Sequence, residues 1–133
     1  MATTTATITL NSGDLTGQNL SLSSTATLTK ADSNEGLDQT HGVGRKTTSS
    51  VSQYTLYDAG AYTANKGHKV YLKNTSSSNH EYMAVHLNAE EVGRLYGGDW
   101  AFFPWGAHDT DNDVKITPSA ATSMTIEYAI FSE

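Results

Sequence analysis

The stretch EVGRLYGGDWAFFPWGAHDTDND, residues 91–113, holds both tryptophans, two of the three phenylalanines and one of the two prolines of a 133-residue chain. Val92, Leu95 and Tyr96 read as the end of a strand, and Gly97-Gly98-Asp99 as a turn in which positive φ is tolerated. Trp100-Ala101-Phe102-Phe103-Pro104 then returns as a short strand. Successive side chains of a strand point to opposite sides. Trp100, Phe102 and Pro104 therefore share one face, and Ala101, Phe103 and Trp105 the other. Large rings stand on both. One set can fill a core, each ring burying about 150–250 Å². The other set requires a cover, and three are open: a loop such as 31–50, a second subunit, or a sugar held by Trp100, Trp105, Tyr96, Asp99 and His108. Tryptophan and tyrosine are favoured anchors of subunit contacts. The expectation adopted is an interface built from Tyr96, Trp100, Phe102, Phe103 and Trp105.

Strand signals continue on either side. SMTIEYAIFSE, residues 123–133, puts Met124, Ile126, Tyr128 and Ile130 on one face and has the length and β-branched content of a central strand. EYMAVHLNAEEVG turns Met83, Val85 and Leu87 inward, and KVYLKN does the same with Val70 and Leu72. The polar run at 74–79 reads as the turn of a hairpin joining those two strands. VSQYTLYD, residues 51–58, alternates as well. Residues 31–50 lack periodicity and contain three glycines, which predicts a long functional or mobile loop. AEEVGRL is the nearest approach to a helix, but it is short and has a glycine in its middle.

The first thirty residues are rich in threonine and serine. Ile8 and Leu10, Leu20 and Leu22, and Ala26 and Leu28 form apolar pairs between turn-like polar segments. This stretch is either a set of half-buried strands or a flexible arm. Residues 31–133 are expected to form the sandwich core, as one domain with the N-terminal part. The fold expected is all-β: a single-domain antiparallel β-sandwich, jelly-roll-like, of seven to nine strands with an extended N-terminal segment.

Composition removes several functions. With 37% hydrophobic and 17% charged residues, the balance is made up by small hydroxylated side chains suited to strands and turns. The net charge is −6, and eight lysines and arginines scattered along the chain do not make the basic face that nucleic acid requires. There is no cysteine, which excludes disulfides, thiolate nucleophiles and cysteine-based zinc sites. No window has the length of a membrane span. The N-terminus MATTTATITL lacks the features of an export signal, so the expectation is a soluble chain made in the cytoplasm.

Chemical motifs are equally sparse. Asp109, Asp111 and Asp113 match the start of an EF-hand loop, but Val114 stands where its glycine belongs and Ala120 where its glutamate belongs. His41, His68, His80, His86 and His108 show no metal-ligand spacing, and Gly42-Val43-Gly44-Arg45-Lys46 lacks the full phosphate-loop pattern. No serine sits in a GxSxG setting. No catalytic residue, cofactor or metal is therefore expected.

Taken end to end, MATTTATITL, LSLSSTATLTK, GLDQTHGVGRKT, KVYLKN, GRLYGGDWAFFPW and SMTIEYAIFSE resemble the small virion proteins of marine tailed bacteriophages, cyanophages in particular. The resemblance lies in overall phrasing, without a diagnostic motif, and carries over no functional residues. It implies a late structural protein that decorates or cements the capsid. Such a protein would sit on the virion surface, as a trimer or between capsomers, bound to the major capsid protein. A tail, neck or fibre component, with a glycan- or receptor-binding role for segment 96–105, is the alternative it implies.

Overall fold

A computed structural model describes residues 2–15, 17–108 and 111–133. Ten strands succeed one another among them: β1 (Thr5–Ser12), β2 (Leu20–Thr27), β3 (Gln39–Thr48), β4 (Tyr54–Tyr57), β5 (Lys69–Asn74), β6 (Tyr82–Leu87), β7 (Glu90–Tyr96), β8 (Trp100–Pro104), β9 (Val114–Pro118) and β10 (Met124–Ser132). The one helical element among the described residues is a single 3-10 turn at Ala59–Ala61, whose capping Asp58 accepts a hydrogen bond from the Gly60 N–H. The strands make two four-stranded sheets, ordered β3-β10-β5-β8 and β4-β9-β6-β7, and a separate hairpin of β1 and β2. All pairings are antiparallel.

The two large sheets share one apolar core. β10 lies between β3 and β5, as its length and apolar face predict, and buries Met124, Ile126 and Ile130 completely. Val70 and Leu72 of β5 lie beside them. From the second sheet come Met83 and Val85 of β6, Leu95 of β7, and Val114 and Ile116 of β9. Where alternation in the sequence was clean, the inward residues are those expected. In β8, Ala101 and Phe103 pack on this core, and Trp105, just past the strand's end, lies within it, only 2% exposed. The Trp105 indole N–H donates to the Asn112 carbonyl at 2.7 Å, and its ring contacts Tyr57, Tyr62 and His68 at 5.3–6.2 Å between centroids. A buried indole with a satisfied N–H, one edge-on ring and two tilted ones around it is a core anchor.

Two expectations are corrected. β5 and β6 do not form a hairpin: β5 pairs with β10 and β8, whereas β6 pairs with β7 and β9. Both strands are apolar on one side only, and they bury that side against the same core from opposite sheets. The 75–81 connection is therefore an arch across the edge of the sandwich. Asn74, fully buried, holds it in place. Its side-chain amide donates to the Leu95 carbonyl at 2.9 Å and its carbonyl oxygen accepts from the Ser76 N–H at 3.0 Å. Leaving either group unpaired would cost about 1–3 kcal/mol. The Gly97 N–H donates to Ser78 O, and a Cβ on Gly97 would stand 2.3 Å from that oxygen, so only glycine fits the arch there.

The second correction concerns 31–50, expected as a loop. Residues 39–48 are β3, the edge partner of β10, with Thr47 Oγ1 2.7 Å from Thr125 Oγ1 and Arg45 paired with Glu127 at 2.8 Å. Its inward residues are Gly44, Lys46 and Thr48, opposite Tyr128, Ile126 and Met124. The glycine leaves room for the Tyr128 ring, which a Cβ would meet at 2.9 Å. A strand with no apolar inner residue has no hydrophobic period, so its conformation is imposed by the ladder of β10. VSQYTLYD is likewise strand only over Tyr54–Tyr57, and Val51 is exposed.

Replacing Trp105 by alanine removes a buried ring and should lower the unfolding free energy by about 3–5 kcal/mol. Trp100→Ala, on the outer side of the same strand, should change it by roughly 0.5 kcal/mol or less. Denaturant unfolding of both variants checks the assignment. A larger loss for Trp100→Ala would mean that β8 presents its faces the other way round.

Candidate functional site

β1 and β2 carry the pattern most unlike the rest of the chain. Their register pairs Ala6 with Ala26, Ile8 with Ser24, Leu10 with Leu22 and Ser12 with Leu20, so the apolar side chains of both strands fall on one face. The other face is a ladder of hydroxyls and amides, with Thr7 Oγ1 2.8 Å from Thr25 Oγ1 and Ser21 donating to Asn11 at 3.0 Å. An isolated two-stranded hairpin is marginal in water. This one is braced at its base. Leu28 donates to Thr4 O and Leu37 to Leu28 O, and both leucines are buried. The Glu133 carboxylate accepts from the Ala31 and Gly67 N–H groups at 2.8 and 2.7 Å, tying the segment after the hairpin to the end of β10.

The near half of the hairpin overhangs the outer face of the first sheet and encloses a cleft of about 580 Å³. Ala6, Ile8 and Ala26 form one wall; Tyr71, Trp100 and Phe102 form the other. The second wall follows from register: β5 and β8 pair Tyr71 with Phe102 and Lys73 with Trp100, all on the side away from the core. Trp100 is 50% exposed. Lys73 is the single charged residue among those lining the cleft. The Tyr71 hydroxyl donates to Glu127 at 3.3 Å, and burial together with that carboxylate pushes the phenol above its ordinary range. The Arg45 guanidinium holds the Glu127 carboxyl below its own. Nearer the hairpin tip, Leu10, Leu20 and Leu22 remain 45–49% exposed. Full burial of such a side chain yields about 1.5–3 kcal/mol, so much of that gain is unrealised within one copy.

The five residues expected to form one interface divide among three places. Trp100 and Phe102 line the cleft. Phe103 and Trp105 belong to the core side, which corrects their expected role as surface anchors: the alternation of β8 was read properly, but its inner half is covered by the second sheet. Tyr96 is on the other sheet, its ring 5.3 Å from Tyr82, whose face in turn carries the Arg94 guanidinium at 4.6 Å. The residues weighed as a sugar platform are dispersed too, since the Asp99 carboxylate accepts the Tyr96 N–H and closes the turn. The loop 31–50 does not cover β8; β3 is at the opposite edge of that sheet. What faces the half-exposed Trp100 across the cleft is the hairpin. Tyr71, Lys73 and the hairpin wall were missed because they share no sequence neighbourhood with β8.

Several other polar groups have structural partners. Asp113 accepts from the Ala59 N–H at 2.8 Å and pairs with Lys115 at 3.5 Å, while Asp109 lies outside the described residues. His68 is buried with its Nε2 2.8 Å from Thr63 O, and the His86 ring meets Thr117 at 3.2 Å. Among the described residues, no group of three or more histidines and acids is placed to hold a metal ion, and no helix is long and apolar enough to cross a membrane. No protein-family model, curated protein or solved structure matches the chain.

Burial pushes the Glu133 carboxyl up, but the Ala31 and Gly67 N–H donors, Lys66 and His68 outweigh it, leaving the group below its ordinary value of 4.5. A carboxyl lowered in this way stabilises the fold above the unfolded value and loses that contribution as pH falls through the folded one. Glu133→Gln should therefore destabilise the protein at pH 7, and its deficit against the unmodified chain should shrink as pH drops below 4.5. Thermal melts of both proteins from pH 7 to pH 3 measure this. A deficit unchanged across that range would remove the charge from the account.

Proposed function

We propose that this chain is a non-enzymatic virion structural protein of a tailed bacteriophage. On this reading it decorates and cements the capsid as a homo-oligomer, a trimer, by binding the major capsid protein and stabilising the shell. The carrying observation is the projecting hairpin with its uncovered aliphatic face, set beside the outward aromatic pair of β8. A rigid sandwich with an apolar appendage is suited to covering seams between subunits. A protein that binds an assembled shell but not its separated parts stabilises the shell by mass action. The strand order supports a jelly-roll reading, in which eight strands wind alternately into two sheets. That winding is shared by capsid, lectin and cupin domains, so it favours the class without selecting the partner. The resemblance to small phage virion proteins supplies that choice.

A second reading, a tail, neck or fibre component that binds a glycan, draws on the half-exposed Trp100 beside Phe102.

Added to purified shells that lack it, the protein should bind saturably, in proportion to the number of capsomers, and should raise the temperature at which shells rupture. Recovery with tails alone, or no binding, would overturn the capsid reading. Glycan binding abolished by Trp100→Ala, with shell attachment unaffected, would favour the second.

A further inference from the structure

We infer that the cleft between the hairpin and the β5–β8 face is the seat of a second copy of this chain, whose hairpin tip enters it head to tail. The inference deepens the assembly reading and rests on it for its biological setting; its own support is local.

Two uncovered surfaces of the same chain are complementary in kind. One is the aliphatic end of the hairpin, with Leu10, Leu20 and Leu22 about half exposed. The other is the open cleft walled by Tyr71, Trp100 and Phe102. Leu10, Leu20 and Leu22 lie outside the cleft of their own chain, where Ile8, Ala6 and Ala26 already form a wall. The hairpin therefore cannot fill its own cleft with its tip, but a neighbour's can.

Charge selects the occupant. A chain with net charge −6 repels its own copies over most of its surface. The hairpin is the exception: between residues 2 and 29 the only charged residue is Asp14, in the turn at the tip. Among the described residues that line the cleft, the charged one is Lys73, whose cross-strand neighbour on β10 is Glu127. Insertion of the tip brings an acid toward Lys73, which it shares with Glu127 on the neighbouring strand. Repeated head to tail, such a contact is heterologous and gives a ring where its rotation closes and an open filament where it does not. A ring of three agrees with the trimer proposed above.

The test uses the full chain in sedimentation velocity, with tryptophan emission as a second reading. Trp105 is enclosed in the monomer, so Trp100 reports the cleft. The protein should form a closed oligomer with rising concentration, and its emission should move to shorter wavelength as it does so. Leu22→Ser, Asp14→Lys and Lys73→Glu should each raise the half-assembly concentration by about tenfold or more. The melting temperatures of Leu22→Ser and Asp14→Lys should stay within about 4 °C of the parent, as surface substitutions do; Lys73→Glu, facing Glu127 across the β5–β10 pairing, should melt lower and is read through the double variant. The double variant Asp14→Lys with Lys73→Glu should regain assembly, a rescue that loss of folding would not produce. A monomer at every concentration, or an oligomer indifferent to these substitutions, overturns the inference. A monomer that nonetheless binds shells overturns it while the assembly reading stands. A swap-rescued ring that ignores shells upholds it while the capsid reading falls.

Discussion

Alternation along β8 carries Phe103 and Trp105 into the space between the two sheets and so leaves Trp100 and Phe102 outside. Much of the molecule is arranged around that division. Trp105 is held by three aromatic neighbours and by the Asn112 carbonyl. The pairing of Val70 with Phe103 and Leu72 with Ala101 keeps the inner rows of β5 and β8 in step. A slip of β8 by one residue would send the exposed indole of Trp100 into the core and bring Phe103 out, so burial on one side makes the register unambiguous. The aromatic surface is thus a consequence of the core: once the inner row is assigned, the outer row has no freedom.

The connections between strands follow a second constraint. Six of the seven links from β3 to β10 change sheet, and only β6 and β7 are joined as a hairpin within one. Each crossing must satisfy its backbone without a ladder. Asn74 does so for the arch after β5 by reaching the Leu95 carbonyl and the Ser76 N–H. The turn between β7 and β8 packs against that same arch through Gly97 and Ser78. Two crossings brace each other there, so the outer aromatic wall stands on a rigid edge.

The hairpin obeys neither constraint. It belongs to no other sheet, and its apolar face meets only part of the surface beneath it. Aliphatic area left open at the tip and an aromatic wall left open in the cleft make an energetic case for association. The function proposed follows from what one copy leaves uncovered.

Much of the architecture could be read along the chain because the signals were local. The inward rows of β5, β6 and β10 are alternations of large apolar residues, and the all-β class follows from them with the turn residues between. β3 was illegible because its inner positions are Gly44, Lys46 and Thr48, and its strand conformation comes from the neighbouring ladder. The β5–β6 arch was mistaken for a hairpin because a polar turn looks the same whether its strands pair or face each other across a core. For the site, the sequence determined that β8 has rings on both faces and that the N-terminal segment carries spaced apolar pairs between polar turns. Only the tertiary structure decided that Phe103 and Trp105 are enclosed, that Tyr96 is on the other sheet, and that Tyr71 and Lys73 stand beside Trp100. A strand's own residues specify two faces, but which of them is buried depends on partners distant in sequence.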